Sequence, residues 1–209
     1  MYKNKFFFIV FEGIEGTGKS FQIHKLYKNL KSKNLKVIKT REPGGSRTAE
    51  KIRNLIFSKK SGKFNKLTDY YLMLASRNEH LLNTILPAKK KRAIVISDRF
   101  IDSTHAYQVI GKKIDNNLNK ANNKYILGSL KPSLTIVLKS NFKSINRRLK
   151  KRANKNKFDK LKRKFYLKAQ KAYINIANKN KKNYFIFDSS KNDKSLEQKI
   201  FKLILKKLS

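Results

Sequence analysis

The chain has 209 residues, with 52 Lys and Arg against 13 Asp and Glu, no Cys and only three His. That length suits one domain with a sizeable core. The lack of cysteine excludes disulfides and thiolate chemistry, and the wide separation of His24, His80 and His105 argues against a structural zinc site.

The formal charge of +39 has two readings, a nucleic-acid-binding surface or a composition drawn from A/T-rich codons. The second is favoured. Of the basic residues 42 are Lys and 10 are Arg, and they are spread along the whole chain among 21 Asn. Phosphate and base readers favour the bidentate fork of Arg. A field of this sign still attracts small phosphate anions. No apolar run is long enough to span a membrane, so no membrane partner is expected.

Residues 6–12, FFFIVFE, read as a strand. The basic start before them resembles a secretory leader, but the run is short, breaks at Glu12 and has no cleavage site. Next comes GIEGTGKS, residues 13–20, which has the spacing of the phosphate-binding P-loop. Gly13, Gly16 and Gly18 let the backbone approach a ligand, and the N–H groups of the loop form a nest for an anion. Ile14, Glu15 and Thr17 complete the loop. The motif assigns Lys19 to the β- and γ-phosphates of a nucleotide and the Ser20 hydroxyl to Mg²⁺. A helix over 19–33 follows, with Ile23, Leu26, Tyr27 and Leu30 on one face.

Further strands are expected at 35–40, 92–98, 133–139 and 184–188, mostly apolar as in strands buried on both faces. Helical patterns lie at 46–58, 68–86, 100–110, 116–129, 142–152, 159–180 and 194–208. The alternation predicts an α/β fold of P-loop NTPase type: a doubly wound parallel sheet of five strands, helices on both faces and a helical lid, over residues 1–209 as one domain. Ligands in such sheets bind beyond the carboxyl ends of the strands. The P-loop, residues 40–42 and residues 98–99 all follow strands and so converge on one edge. There, Asp98 is a candidate for Mg²⁺ or its water and Arg99 for a phosphate clamp, although alone the pair reads equally as a surface ion pair.

FEGIEGTGKS, TREPGG, LASRNEHL, SDRFIDSTHAYQ and KPSLTIVL stand here in the order and at the separations found in bacterial thymidylate kinases. The chain resembles that family over nearly its whole length. The resemblance implies transfer of the γ-phosphoryl of ATP to thymidine 5′-monophosphate (dTMP), with Mg²⁺, in a cytoplasmic homodimer. It places Glu15 at the 3′-hydroxyl of the acceptor sugar and Arg41 and Glu42 beside the acceptor. Pro43 lies against the thymine methyl, often after a cis peptide. Arg53 and Arg99 take the acceptor phosphate, Arg77 a thymine carbonyl, Thr104 and Gln108 the neighbourhood of the base, and Tyr107 the exclusion of a ribose 2′-hydroxyl. Judged alone, Pro43 and Tyr107 also fit packing, and Arg53 fits a solvated charge.

The segment RRLKKRANKNKFDK, residues 147–160, is the expected lid. The P-loop carries Gly16 where one branch of the family has Arg, so the resemblance gives the lid the catalytic cations, with Arg148, Arg152 and Lys157 as candidates. The chain departs from the family at Met73, where an aromatic usually stacks on thymine, at Val109 and Ile110 in place of glycines, and at Lys139 in place of Asp. The rival readings are another P-loop nucleoside or nucleotide kinase, and a basic nucleic-acid-binding P-loop protein. For the latter no recognition motif is present, and no specific nucleic-acid partner is expected.

Overall fold

The computed structural model describes residues 5–58, 60–153 and 157–208. Strands β1 (Phe7–Glu12), β2 (Val37–Arg41), β3 (Ile94–Asp98), β4 (Leu134–Lys139) and β5 (Tyr184–Asp188) form an all-parallel sheet in the order β2-β3-β1-β4-β5. Every strand lies where its apolar run predicts.

Burial separates the centre of the sheet from its edges. The β1 strand is buried throughout. Its Phe7, Ile9 and Phe11 pack against Ile23, Leu26 and Leu30 of α1 (Lys19–Lys31) and Ile200 and Ile204 of α9 (Lys194–Leu208). Its Phe8 and Val10 face the opposite layer with Ile85, Val95 and Phe100. Expecting every strand to be buried on both faces is wrong for β2 and β5. Each has a neighbour on one side only, and β2 turns Lys39 and Arg41 to solvent.

Helix boundaries follow capping chemistry. Ser46 accepts a hydrogen bond from Ala49 N at the start of α2 (Arg47–Phe57), and Asn65 accepts from Thr68 N at the start of α3 (Lys66–His80). The chain then passes through a π-helical turn (Leu81–Ile85) into α4 (Leu86–Lys90). The helix thus runs beyond the expected 86; the π-helical turn directly before Pro87 breaks the regular i→i−4 ladder where proline has no N–H to donate. The expected helix over 100–110 is instead a short α5 (Ile101–Thr104) and a π-helical segment (His105–Gly111). The wider turn buries four consecutive residues, Ala106 to Val109, which a regular helix with one core face would not. The later helices are α6 (Asn116–Leu127), α7 (Phe142–Lys150) and α8 (Arg163–Lys179). A 3₁₀ turn (Lys157–Lys160) precedes α8, which therefore begins after the expected 159.

Register sets the functional edge. Phe11 and Arg41 both pair with Asp98, so β1, β2 and β3 end level. The backbone stays joined beyond the strands, where Glu42 N donates to Asp98 O at 2.9 Å and Arg99 N donates to Phe11 O at 2.9 Å.

Ile9 is fully buried at the centre of this arrangement. Ile9→Ala is expected to cost ~2–5 kcal/mol. In urea this appears as a lower unfolding midpoint with an unchanged slope.

Candidate active site

The P-loop shape is enforced by two close approaches. At Gly13, with φ +141°, a Cβ would stand 2.4 Å from Leu138 O. At Gly18, with φ +84°, it would stand 2.3 Å from Asn192 Nδ2. Only glycine fits either place. Thr17 Oγ1 donates to Ile14 O at 2.8 Å and braces the turn. The buried Lys19 Nζ donates to Gly13 O at 2.8 Å and Ile14 O at 2.9 Å. Burial, and then the Arg99 charge, push the Lys19 ammonium down to about 8. Ser20 Oγ donates to Asp98 Oδ2 at 3.0 Å, while the buried Asp98 Oδ1 has no hydrogen-bond partner among the described residues.

Arg99 follows β3 in a left-handed conformation, φ 77°. One terminal nitrogen donates to Glu15 Oε1 at 2.7 Å. The other is shared between Gly13 O at 3.0 Å, Ser103 Oγ at 3.1 Å and Tyr173 OH at 3.1 Å. Burial alone would lower the Arg99 pKa, but the Glu15 carboxylate outweighs it and holds the guanidinium charged. Tyr107 OH donates to the other Glu15 oxygen. Behind them, Glu12 accepts from Phe100 N at 2.8 Å and from Ser103 Oγ at 2.7 Å. Burial, then the neighbouring Asp102, push the Glu12 carboxyl up to about 8.

A second network fixes the far wall. Arg77 Nε donates to Glu42 Oε2 at 2.8 Å, and His80 Nδ1 lies 3.0 Å from Glu42 Oε1. His80 Nε2 lies 2.7 Å from Thr40 Oγ1. The terminal nitrogens of Arg77 donate to Thr104 Oγ1 at 2.9 Å, Phe100 O at 3.1 Å and Asn123 Oδ1 at 3.2 Å. Burial alone would raise the Glu42 pKa, but the Arg77 charge and the His80 contact hold it below the usual carboxylate range. The Glu42–Pro43 bond is cis, and Pro43 O accepts from Arg53 at 2.7 Å. Arg41 turns outward to pair with Glu50 at 2.8 Å. Gln108 Nε2 lies 3.5 Å from Asp69 Oδ2, which also accepts from Lys112 Nζ at 2.7 Å.

From α7, Arg148 donates to Gly16 O at 3.0 Å, Ser189 O at 2.8 Å and Ser190 O at 2.7 Å. It ties the P-loop to the end of β5 and also lines the cavity beside the P-loop. Arg152 pairs with the buried Asp159 at 2.7 Å. Residues 154–156 and the Lys157 side chain lie outside the described residues.

These groups surround one cavity of about 820 Å³. Every acceptor-side residue named from the sequence, from Glu15 to Gln108, lines it, as do Lys19, Ser20, Asp98 and Arg152. Gly13, Ile14 and Thr17 shape the loop from behind. Sequence reasoning missed Glu12, Thr40, Ser103, Asn123, Tyr173 and the role of His80. Only His80 carried a local signal, since it follows Arg77 by three residues and so shares its helix face.

The family model described as "Thymidylate kinase" matches residues 11–200. The thymidylate kinase of Mycoplasma capricolum is 37% identical over 203 residues, covering 96% of this chain and 95% of its own. That of Mycoplasma genitalium is 38% identical over 198 residues, covering 93% and 92%. The crystal structure of thymidylate kinase from Ehrlichia chaffeensis matches with a TM-score of 0.77 at 30% identity, covering 96% of this chain and 99% of that one.

Glu42→Gln would leave Arg77 buried without its counter-charge, at an expected cost of ~3–5 kcal/mol. The folded pKa of Glu42 is depressed, so its contribution is complete above the ordinary value of 4.5 and is lost as pH falls through the folded value. Denaturation at a series of pH values should show this loss in the wild type and its absence in Glu42→Gln.

Proposed function

The chain belongs to the thymidylate kinase family and is a nucleoside monophosphate kinase, and on that premise we propose how its own residues carry the γ-phosphoryl of ATP to dTMP. The observation that carries the reading is the meeting of Lys19 and Arg99 on a single oxygen, Gly13 O, at 2.8 and 3.0 Å. Two cations that converge on one neutral acceptor mark a place where phosphate oxygens bind more strongly than the carbonyl does. Lys19 and the α1 N-terminus take the β- and γ-phosphates, and Arg99 with Arg53 holds the acceptor phosphate in line. Arg152 and Lys157 of the lid, residues 147–160, meet the charge that develops on the transferring group. Positioning and charge neutralisation suffice, because the acceptor is already a phosphate oxyanion. Glu15, Tyr107, Thr104 and Gln108 surround the sugar and base, with Pro43, Met73 and Arg77.

Ser20 Oγ and the Asp98 carboxylate, whose Oδ1 is buried and unpartnered, suit Mg²⁺. When bound there, the ion would neutralise charge on the nucleotide phosphates. The working form is a cytoplasmic homodimer of the whole chain as one domain. Support for the dimer comes from Leu67, Tyr71 and Leu82, exposed along α3 and the turn after it, beside the exposed Leu55 of α2. Light scattering should then give the mass of two chains. Among the described residues no helix is long and apolar enough to cross a membrane.

Arg53 and Arg99, both facing one cavity, favour a monophosphate acceptor over a nucleoside. Release of ADP should therefore be fast with dTMP and slow with dUMP, dCMP and thymidine; turnover of thymidine at the dTMP rate would reassign the enzyme. Lys19→Ala should fold normally and lose roughly 10²–10³ in kcat. In the free enzyme Lys19 loses its proton near 8, so kcat/KM for ATP should fall above that pH. Bound phosphates favour the charged form, so kcat should hold to higher pH. Matching declines in both would show that Lys19 does not meet the phosphates.

A further inference from the structure

The acceptor half of the cavity has aromatic walls although α3 supplies Met73 there. One ring, Phe158, comes from the 3₁₀ turn of the lid and lines the same cavity. It stands edge-on to Tyr107, with centroids 5.4 Å apart at 89°, and edge-on to Phe57, 5.7 Å apart at 78°. Each of those rings carries an arginine. Arg53 lies 4.6 Å from the Phe57 centroid, and Arg99 lies 5.3 Å from that of Tyr107. Phe158 therefore bridges the two rings against which the Arg53 and Arg99 guanidinium groups lie.

The turn that carries it is anchored at both residues. Tyr166 OH donates to Phe158 O at 2.6 Å, and the next residue, the buried Asp159, holds Arg152 at 2.7 Å. A chain of contacts thus runs from Arg53 and Arg99 through three edge-packed rings to Asp159 and Arg152. Edge-to-face ring pairs are directional, so displacing one ring disturbs its neighbours.

We propose that Phe158 is a positioning residue for the acceptor clamp, and that through it a nucleoside monophosphate held between Arg53 and Arg99 sets the place of Arg152. The proposal rests on reading this half of the cavity as the acceptor site. It predicts that Phe158 matters for dTMP binding whether or not ATP is present, because the two rings it bridges seat Arg53 and Arg99.

The test is calorimetric binding of dTMP alone, together with steady-state kinetics, for Phe158→Ala, Phe158→Leu, Phe158→Tyr and Arg99→Ala. Phe158→Ala should weaken dTMP binding about tenfold without ATP and raise the KM for dTMP by a similar factor. The KM for ATP should stay within about twofold, and kcat should fall as Arg152 loses its place. Tyr should restore dTMP affinity and Leu should restore it in part; Leu also keeps the apolar volume if the Ala variant folds poorly. Unchanged dTMP affinity in Phe158→Leu and Phe158→Ala, or equal changes for both substrates, would overturn the proposal. Should Arg99→Ala leave dTMP binding intact, the acceptor reading itself fails. Should Arg99→Ala weaken it while the Phe158 variants do not, only the coupling fails.

Discussion

One carbonyl oxygen, that of Gly13, accepts hydrogen bonds from both Lys19 and Arg99. Much of the site follows from the need to hold two cations there, the buried Lys19 and the part-buried Arg99. Burial penalises charge, and the two cations repel each other, as the lowered Lys19 pKa records. The carbonyl offsets part of that penalty and remains replaceable, because it is neutral and leaves no uncompensated charge when a phosphate oxygen takes its cations. Arg53 on Pro43 O and Arg148 on Gly16 O are held in the same way. For the carbonyl to lie within reach of both, β1 and β3 must end level, the chain must turn at a residue without Cβ, and Arg99 must adopt positive φ.

Arg77 is held differently. Its partner is the Glu42 carboxylate, which is itself gripped by His80 and, through it, Thr40. A buried ion pair with its remaining contacts satisfied is costly to break. Arg77 is therefore a fixed wall of the cavity, whereas Lys19 and Arg99 can change partners. Arg99 stands between these cases: one terminal nitrogen is on the Glu15 carboxylate, and the other is shared among neutral oxygens that a phosphate can replace. The +39 charge plays little part here, since each of these cations is already matched to oxygens within the site.

Much of this was legible in the sequence where the signal is local. The apolar runs gave the strands, and the spacing from Gly13 to Ser20 gave the phosphate loop. Residues following three strands also pointed to one edge of the sheet. The rest depends on contacts between distant segments. Arg148 reads as one cation in a basic run, and nothing local shows that its acceptors lie 132, 41 and 42 residues away. Tyr173 reads as one more apolar residue of α8, and nothing nearby announces its hydroxyl on Arg99. The π-helical segment is hidden too, because periodicity analysis assumes 3.6 residues per turn, and adjacent inward residues such as Tyr107 and Gln108 break that assumption.

A crystal structure of the chain with a non-hydrolysable ATP analogue and dTMP bound together would test the division between movable and fixed cations most directly. The account predicts that Lys19 and Arg99 leave Gly13 O for phosphate oxygens, while Arg77 stays on Glu42 and His80 stays between Glu42 and Thr40. Lys19 and Arg99 still seated on Gly13 O with both ligands in place, or Arg77 released from Glu42, would contradict it.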